Sequence, residues 1–134
     1  MPANKKTKIL LIEDEENILD IVKDVLKEEE FLVKTANGGR KGVEIASTWI
    51  PDLIICDIMM PGMDGYQVFE ELKSQPDTAV IPFIYLTAKA DYQDFRKGMN
   101  LGAADYIFKP FDIKSLVKAV KVRLEKIAAI RSGS

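Results

Sequence analysis

The sequence predicts a doubly wound α/β domain, a five-stranded parallel sheet with helices on both faces. Three observations predict it. Short, continuous apolar runs alternate with longer amphipathic stretches about five times along the 134 residues. The runs are apolar throughout and do not alternate, as strands buried on both faces do. Polar residues able to do chemistry follow the runs, at the strand ends where open parallel sheets bind ligands.

Ile9-Leu10-Leu11-Ile12 is the first run, too short for a helix and rich in strand formers. Glu16 to Glu29 follows with Ile18, Ile21, Val22, Val25 and Leu26 at helical spacing. Leu32 to Ala36 is more mixed and suits an edge strand. Gly42 to Trp49 is a short helix candidate. Leu53-Ile54-Ile55-Cys56 is the second continuous run and the expected central strand. Gly65 to Ser74 carries Val68, Phe69 and Leu72 on one helical face. Phe83 to Leu86 is the third run, and Asp91 to Leu101 is a helix opening on Asp91 as N-cap. Tyr106-Ile107-Phe108 is the last strand. Asp112 then caps a long helix with Ile113, Val117, Val120, Leu124 and Ile127 in a repeating stripe. Asp64 also reads as a turn or cap residue, Cys56 as core, and Trp49 as packing or surface.

The chain is long enough for one domain with a real core, since 47% of it is hydrophobic and 30% charged. We expect the domain to span 6–127, after an N-terminal extension at 1–5 and before a helix extension and linker tail at 128–134. A net charge of −2 provides no basic footprint for nucleic acid and no polybasic patch for a membrane. The single cysteine excludes an internal disulfide and a multi-cysteine zinc site. With no histidine, the chain has no Ser-His or Cys-His nucleophile pair, no imidazole metal ligand and no phosphohistidine of its own. No run reaches the ~18 apolar residues of a membrane span, and MPANKKTKILLIEDE lacks the long apolar region and cleavage site of a secretory signal. A cytoplasmic protein with a reduced thiol is expected.

The residues that follow the runs are Glu13 and Asp14, Asp57, Thr87 and Lys109. Brought together, three carboxylates repel one another, and one ammonium offsets only one of them. The natural remedy is a hard, oxygen-seeking divalent ion. Mg²⁺ fits, with Mn²⁺ able to take its place. Carboxylates, a divalent metal, a lysine and a hydroxyl together make a phosphoryl-transfer site, in which an Asp nucleophile would form an aspartyl phosphate.

The stretches ILLIEDEENI, PDLIICDIMMPGMDGYQV, FIYLTA and GAADYIFKPF, in this order and spacing, resemble the receiver domain of bacterial two-component response regulators. The resemblance covers roughly residues 6–127. It implies the flavodoxin-like strand order 2-1-3-4-5. It makes Asp57 the phosphoacceptor and Asp14 and Asp57 direct metal ligands, with Glu13 acting through metal-bound water and Met59 through its backbone carbonyl. Glu13 stands where many relatives carry Asp. Thr87 matches the switch hydroxyl, Tyr106 the aromatic switch, and Lys109 the lysine that pairs with the phosphoryl group. The Lys109-Pro110 bond is expected to be cis, an isomer that is inexpensive only before proline.

The function implied is a phosphorylation-controlled signalling switch, with no turnover beyond its own phosphorylation and dephosphorylation. The donor is a sensor histidine kinase or a phosphotransfer protein. Phosphorylation would repack the face formed by the Asp91 to Leu101 helix, the Tyr106 strand and the last helix. That face would serve a downstream output domain or protein, or a homodimer, with no direct nucleic-acid or membrane contact by this domain. Past Leu124, Ile127 and Ile130 call for another copy, an output domain, or nothing if the helix frays. Two rivals differ in pattern. A haloacid-dehalogenase-type phosphatase has a D-x-D after its first strand, whereas here the nucleophile follows the third run and Met59 stands two residues after it. A flavin module needs a phosphate-cradling loop after Ile12, where Glu13-Asp14 would repel the ligand.

Overall fold

The computed structural model describes residues 6–88 and 105–133. The helix expected over Asp91 to Leu101, the stretches 89–90 and 102–104, and residues 1–5 and 134 lie outside the described residues. The elements run β1 (Lys8–Ile12), α1 (Glu16–Glu28), β2 (Leu32–Ala36), α2 (Gly39–Trp49), β3 (Leu53–Asp57), α3 (Gly65–Lys73), α4 (Pro76–Ala79), β4 (Phe83–Ala88), β5 (Asp105–Lys109) and α5 (Ile113–Gly133). All strand pairs are parallel, in the order β2-β1-β3-β4-β5.

Burial follows position in the sheet. Central β3 is buried at every residue, whereas edge strand β2 alternates between exposed and half-buried until Ala36. Successive side chains leave opposite faces. Leu10, Ile12, Ile54, Cys56 and Tyr85 pack with α2 and α3 on one face. Ile9, Leu11, Leu53, Ile55, Ile84 and Leu86 pack with α1 and α5 on the other.

Several features differ from the sequence reading. Helix α2 begins at Gly39 and not at Gly42. Gly38-Gly39 reads as a breaker, but a Cβ on Gly39 would sit 2.7 Å from the Met63 carbonyl oxygen, so glycine is what lets the helix start against the β3–α3 loop. The one-turn helix α4, with proline in its first turn, was not anticipated. Strands β3, β4 and β5 extend to include Asp57, Thr87 and Lys109, so these residues are held by the sheet's own ladders. In α5 the fully buried pair is Leu116 and Val120, with Ala119 and Leu124 packed beside them. The stripe read from the sequence omitted Leu116 and is rotated partly off the sheet, and Asp112 caps the helix as expected by accepting from the Ser115 amide at 2.7 Å.

Candidate phosphoryl-transfer site

Register brings the polar strand ends together. Ile12 of β1 pairs with Cys56 of β3, so Glu13 and Asp14 leave β1 beside Asp57. Asp57 pairs with Leu86, and Ala88 pairs with Lys109, which carries the row across β4 to β5. The Glu13 amide donates to the Ala36 carbonyl at 3.0 Å and fixes the start of the loop. The Lys109-Pro110 peptide is cis, as expected.

Carboxylate oxygens of Glu13, Asp14 and Asp57 lie within 4.8 Å of one another. The Lys109 Nζ is 3.2 Å from Glu13 Oε1 and 3.3 Å from Asp57 Oδ1. Glu13 Oε2 accepts from the Glu15 amide at 3.1 Å, and Asp57 Oδ1 accepts from the Met59 amide at 3.3 Å. Glu13 is fully buried, which the sequence did not indicate, because an acid after a strand is ordinarily solvated. The Asp57 side chain keeps 5% exposure and Lys109 keeps 20%, so solvent reaches Asp57 through a narrow mouth.

Burial dominates the electrostatics. It pushes the Glu13 carboxyl up to about 7, against the Glu15 amide, and the charge of Asp57 adds to the rise. Burial also raises Asp57, with the Lys109 ammonium pulling the other way. For Lys109 burial disfavours the charge, but the Asp57 and Glu13 carboxylates outweigh it and hold the ammonium above its ordinary value. Were all three carboxylates to ionise, the single ammonium would leave the cluster two charges negative.

The residues fit a hard divalent cation. The donors are all oxygen, and among the described residues buried Glu13 Oε1 accepts no aligned hydrogen bond, although the charge of Lys109 lies close by. An oxygen of this kind suits a metal-bound water.

The other candidates sit around this centre. Thr87 is fully buried, and its hydroxyl donates to the Ala88 carbonyl at 3.1 Å, on the strand next to Asp57. Met59 is 49% exposed and touches the site through its backbone amide, which donates to Asp57. Tyr106 pairs in register with Tyr85, and their rings lie 5.4 Å apart. Sequence reasoning missed the extent of this aromatic layer, in which Tyr66, Phe69, Phe83 and Tyr85 interlock at 5.0–6.0 Å. The aromatics in these runs were the available signal. The layer joins the site through α3. A Cβ on Gly65 would lie 2.6 Å from the Asp57 carbonyl oxygen, so the helix start sits directly against the Asp57 backbone. Asp64 caps that helix in a capping box, with the Gln67 amide donating to it at 2.9 Å.

The family model for the response regulator receiver domain matches residues 9–121. The chain is 39% identical over 126 residues to the probable transcriptional regulator ycf27 of Guillardia theta, covering 92% of this chain and 48% of that protein. It is 37% identical over 120 residues to the response regulator ArlR of Staphylococcus aureus, covering 90% of this chain and 53% of that one. The chain thus spans about half the length of the curated relatives it matches. Among solved structures it is similar to the chemotaxis response regulator CheY4 of Vibrio cholerae, with TM-score 0.82, 27% identity, and coverage of 89% and 99% of the two chains. It is also similar to the receiver domain of the sensor histidine kinase PA1611 of Pseudomonas aeruginosa, with TM-score 0.81, 28% identity, and coverage of 90% and 99%. That structure has a magnesium ion coordinated in its active site cleft.

Proposed function

We propose a phosphoryl-accepting role for Asp57 from one premise: this chain belongs to the response regulator receiver domain family. The observation that carries it is the joint approach of Glu13, Asp14 and Lys109 to Asp57, three carboxylates and one ammonium at the ends of three strands. Asp14, Asp57 and the Met59 carbonyl would hold Mg²⁺ directly, and Glu13 through water. The magnesium ion bound by the Pseudomonas aeruginosa receiver supports this assignment. When bound, the metal supplies positive charge for phosphoryl oxygens.

In the transfer, an Asp57 carboxylate oxygen attacks phosphorus in line. The bond from phosphorus to the donor nitrogen breaks, and its electron pair leaves with the imidazole, which is protonated from solvent. Lys109, already 3.3 Å from Asp57 Oδ1, stabilises the charge on the transferring oxygens. The aspartyl phosphate adds ~−1.5 to −2 charge and three acceptor oxygens. Thr87 then leaves the Ala88 carbonyl for a phosphoryl oxygen, and Tyr106 moves toward the space it vacates. The donor is a sensor histidine kinase or phosphotransfer protein, since this chain has no histidine. The output is a further domain or a separate protein, and a homodimer through the β5–α5 side is a second use of the same face. The domain turns over no substrate apart from its own phosphoryl group, and its working place is the cytoplasm. Among the described residues no helix is long and apolar enough to cross a membrane.

Labelling with acetyl phosphate and Mg²⁺ tests the reading. The chain is expected to gain one phosphoryl group, and Asp57→Asn to gain none. Undiminished labelling of the variant would place the acceptor elsewhere, and sustained phosphate release from simple esters would favour a phosphatase.

A further inference from the structure

Tyr85 lies at the middle of the aromatic layer and is fully buried, yet among the described residues its hydroxyl has no hydrogen-bond partner. Phenylalanine would fill the same space with no polar atom to desolvate, so in this conformation the hydroxyl is a cost. Burial also pushes its ionisation far up, so it stays a neutral donor.

Its position explains what the hydroxyl is for. Tyr85 stands in one register row with Cys56 of β3 and Tyr106 of β5. The Tyr66 and Tyr106 rings flank it at 5.1 Å and 5.4 Å. Two mechanical inputs from Asp57 converge on it. Thr87 is two residues further along the same strand and leaves the same face. Tyr66 follows Gly65, the residue packed against the Asp57 carbonyl. A shift at Asp57 therefore reaches Tyr85 along its own strand and from the helix above it.

We propose that Tyr85 is a positioning residue of the switch, whose hydroxyl is unpaired in this conformation and takes a hydrogen-bond partner when Asp57 carries the phosphoryl group, holding Tyr106 in its rearranged place. The inference rests on the phosphoacceptor reading of Asp57. It implies a thermodynamic signature. A group that costs free energy in one state and is satisfied in the other biases the equilibrium, and by linkage it strengthens whatever binding favours the second state.

The experiment uses beryllofluoride, a phosphoryl analogue, with Mg²⁺, titrated calorimetrically into wild type and Tyr85→Phe, alongside thermal unfolding without the analogue. Tyr85→Phe should bind beryllofluoride roughly three- to tenfold more weakly, the equivalent of one buried hydrogen bond, while unfolding at the same temperature as wild type or a higher one. A packing role alone would move these readouts differently. Affinity equal to or tighter than wild type overturns the inference, as does a lower unfolding temperature. Wild type serves as the control for the underlying reading: if it fails to bind beryllofluoride, both fall together, whereas wild-type binding with an indifferent Tyr85→Phe removes only the role of Tyr85.

Discussion

The two faces of the sheet are built from different side chains. Toward α1 and α5 every buried residue is aliphatic, from Ile9 and Leu11 through Val22 and Leu26 to Leu116 and Val120. Toward α2 and α3 the core includes Tyr66, Phe69, Phe83 and Tyr85, with Tyr106 packed against it. Among the described residues, the buried side chains of this aliphatic cluster carry no polar atom. The aromatic face holds a buried hydroxyl that has no partner among the described residues and, on the same side of β4, the Thr87 hydroxyl, which donates to its neighbour's carbonyl. A close-packed layer that resists change thus backs a layer with polar atoms left to satisfy, and both are anchored to the strand that carries Asp57.

The largest test of this division deletes a methyl-bearing branch from the resistant side. Ile55→Ala should cost ~2–5 kcal/mol of unfolding free energy, read by urea titration, with beryllofluoride affinity of the folded protein within about twofold of wild type. A large change in affinity would mean that the aliphatic face also takes part in switching. The next effect arises at the centre between the two layers. Glu13 is held near 7 in the folded chain against an ordinary 4.5. Between these values the unfolded chain has lost its proton and the folded chain retains it, so stability falls as pH rises from about 4.5 to about 7 and is flat above. The loss should be on the order of 3 kcal/mol. Millimolar Mg²⁺ should recover part of it at neutral pH, and Glu13→Gln should flatten the profile. A metal-free wild type with the same slope as Glu13→Gln would show that burial of this carboxyl is not the cause.

A smaller effect is expected under the aromatic face. Asp64→Ala removes the cap of α3 and should cost about 1 kcal/mol without abolishing acetyl phosphate labelling. The smallest belongs to the α1–α5 side, where the ion pair of Lys121 with Glu29 is half exposed. Lys121→Ala should change stability by less than about 1 kcal/mol. A larger loss would mean that this pair fastens the two helices more firmly than their apolar contacts do.

The parts of the fold legible in the sequence are those whose signal is local. β1, β3 and β4 announce themselves because strands buried on both faces must be apolar throughout, and β2 because an edge strand need not be. The gathering of Glu13, Asp14, Asp57 and Lys109 was legible for the same reason, since each stands just after its run and parallel topology brings strand ends together. What was illegible depends on contacts between distant segments. The start of α2 hangs on Gly39 meeting Met63, a proximity no local pattern carries. The burial of Glu13 was not legible, because an acid just after a strand is ordinarily solvated, and it is the surrounding fold that buries this one beside Lys109. Leu116 was passed over because α5 bears two overlapping apolar stripes, and the sheet chooses between them. The unpartnered hydroxyl of Tyr85 is a property of its surroundings and is invisible from a tyrosine in a strand.

The lone tryptophan has a practical consequence. The Trp49 carbonyl accepts from Lys8 Nζ at 2.7 Å, and the indole lies under the ammonium groups of Lys8 and Lys34 at 5.4 Å and 5.0 Å. Lys8 opens β1, and Glu13 stands just past its other end, so the chain's only indole fluorophore is a full strand length from the chemistry. Its emission gauges whether the chain is folded and stays silent about whether Asp57 is loaded. Following that event optically calls for a second indole placed near β5.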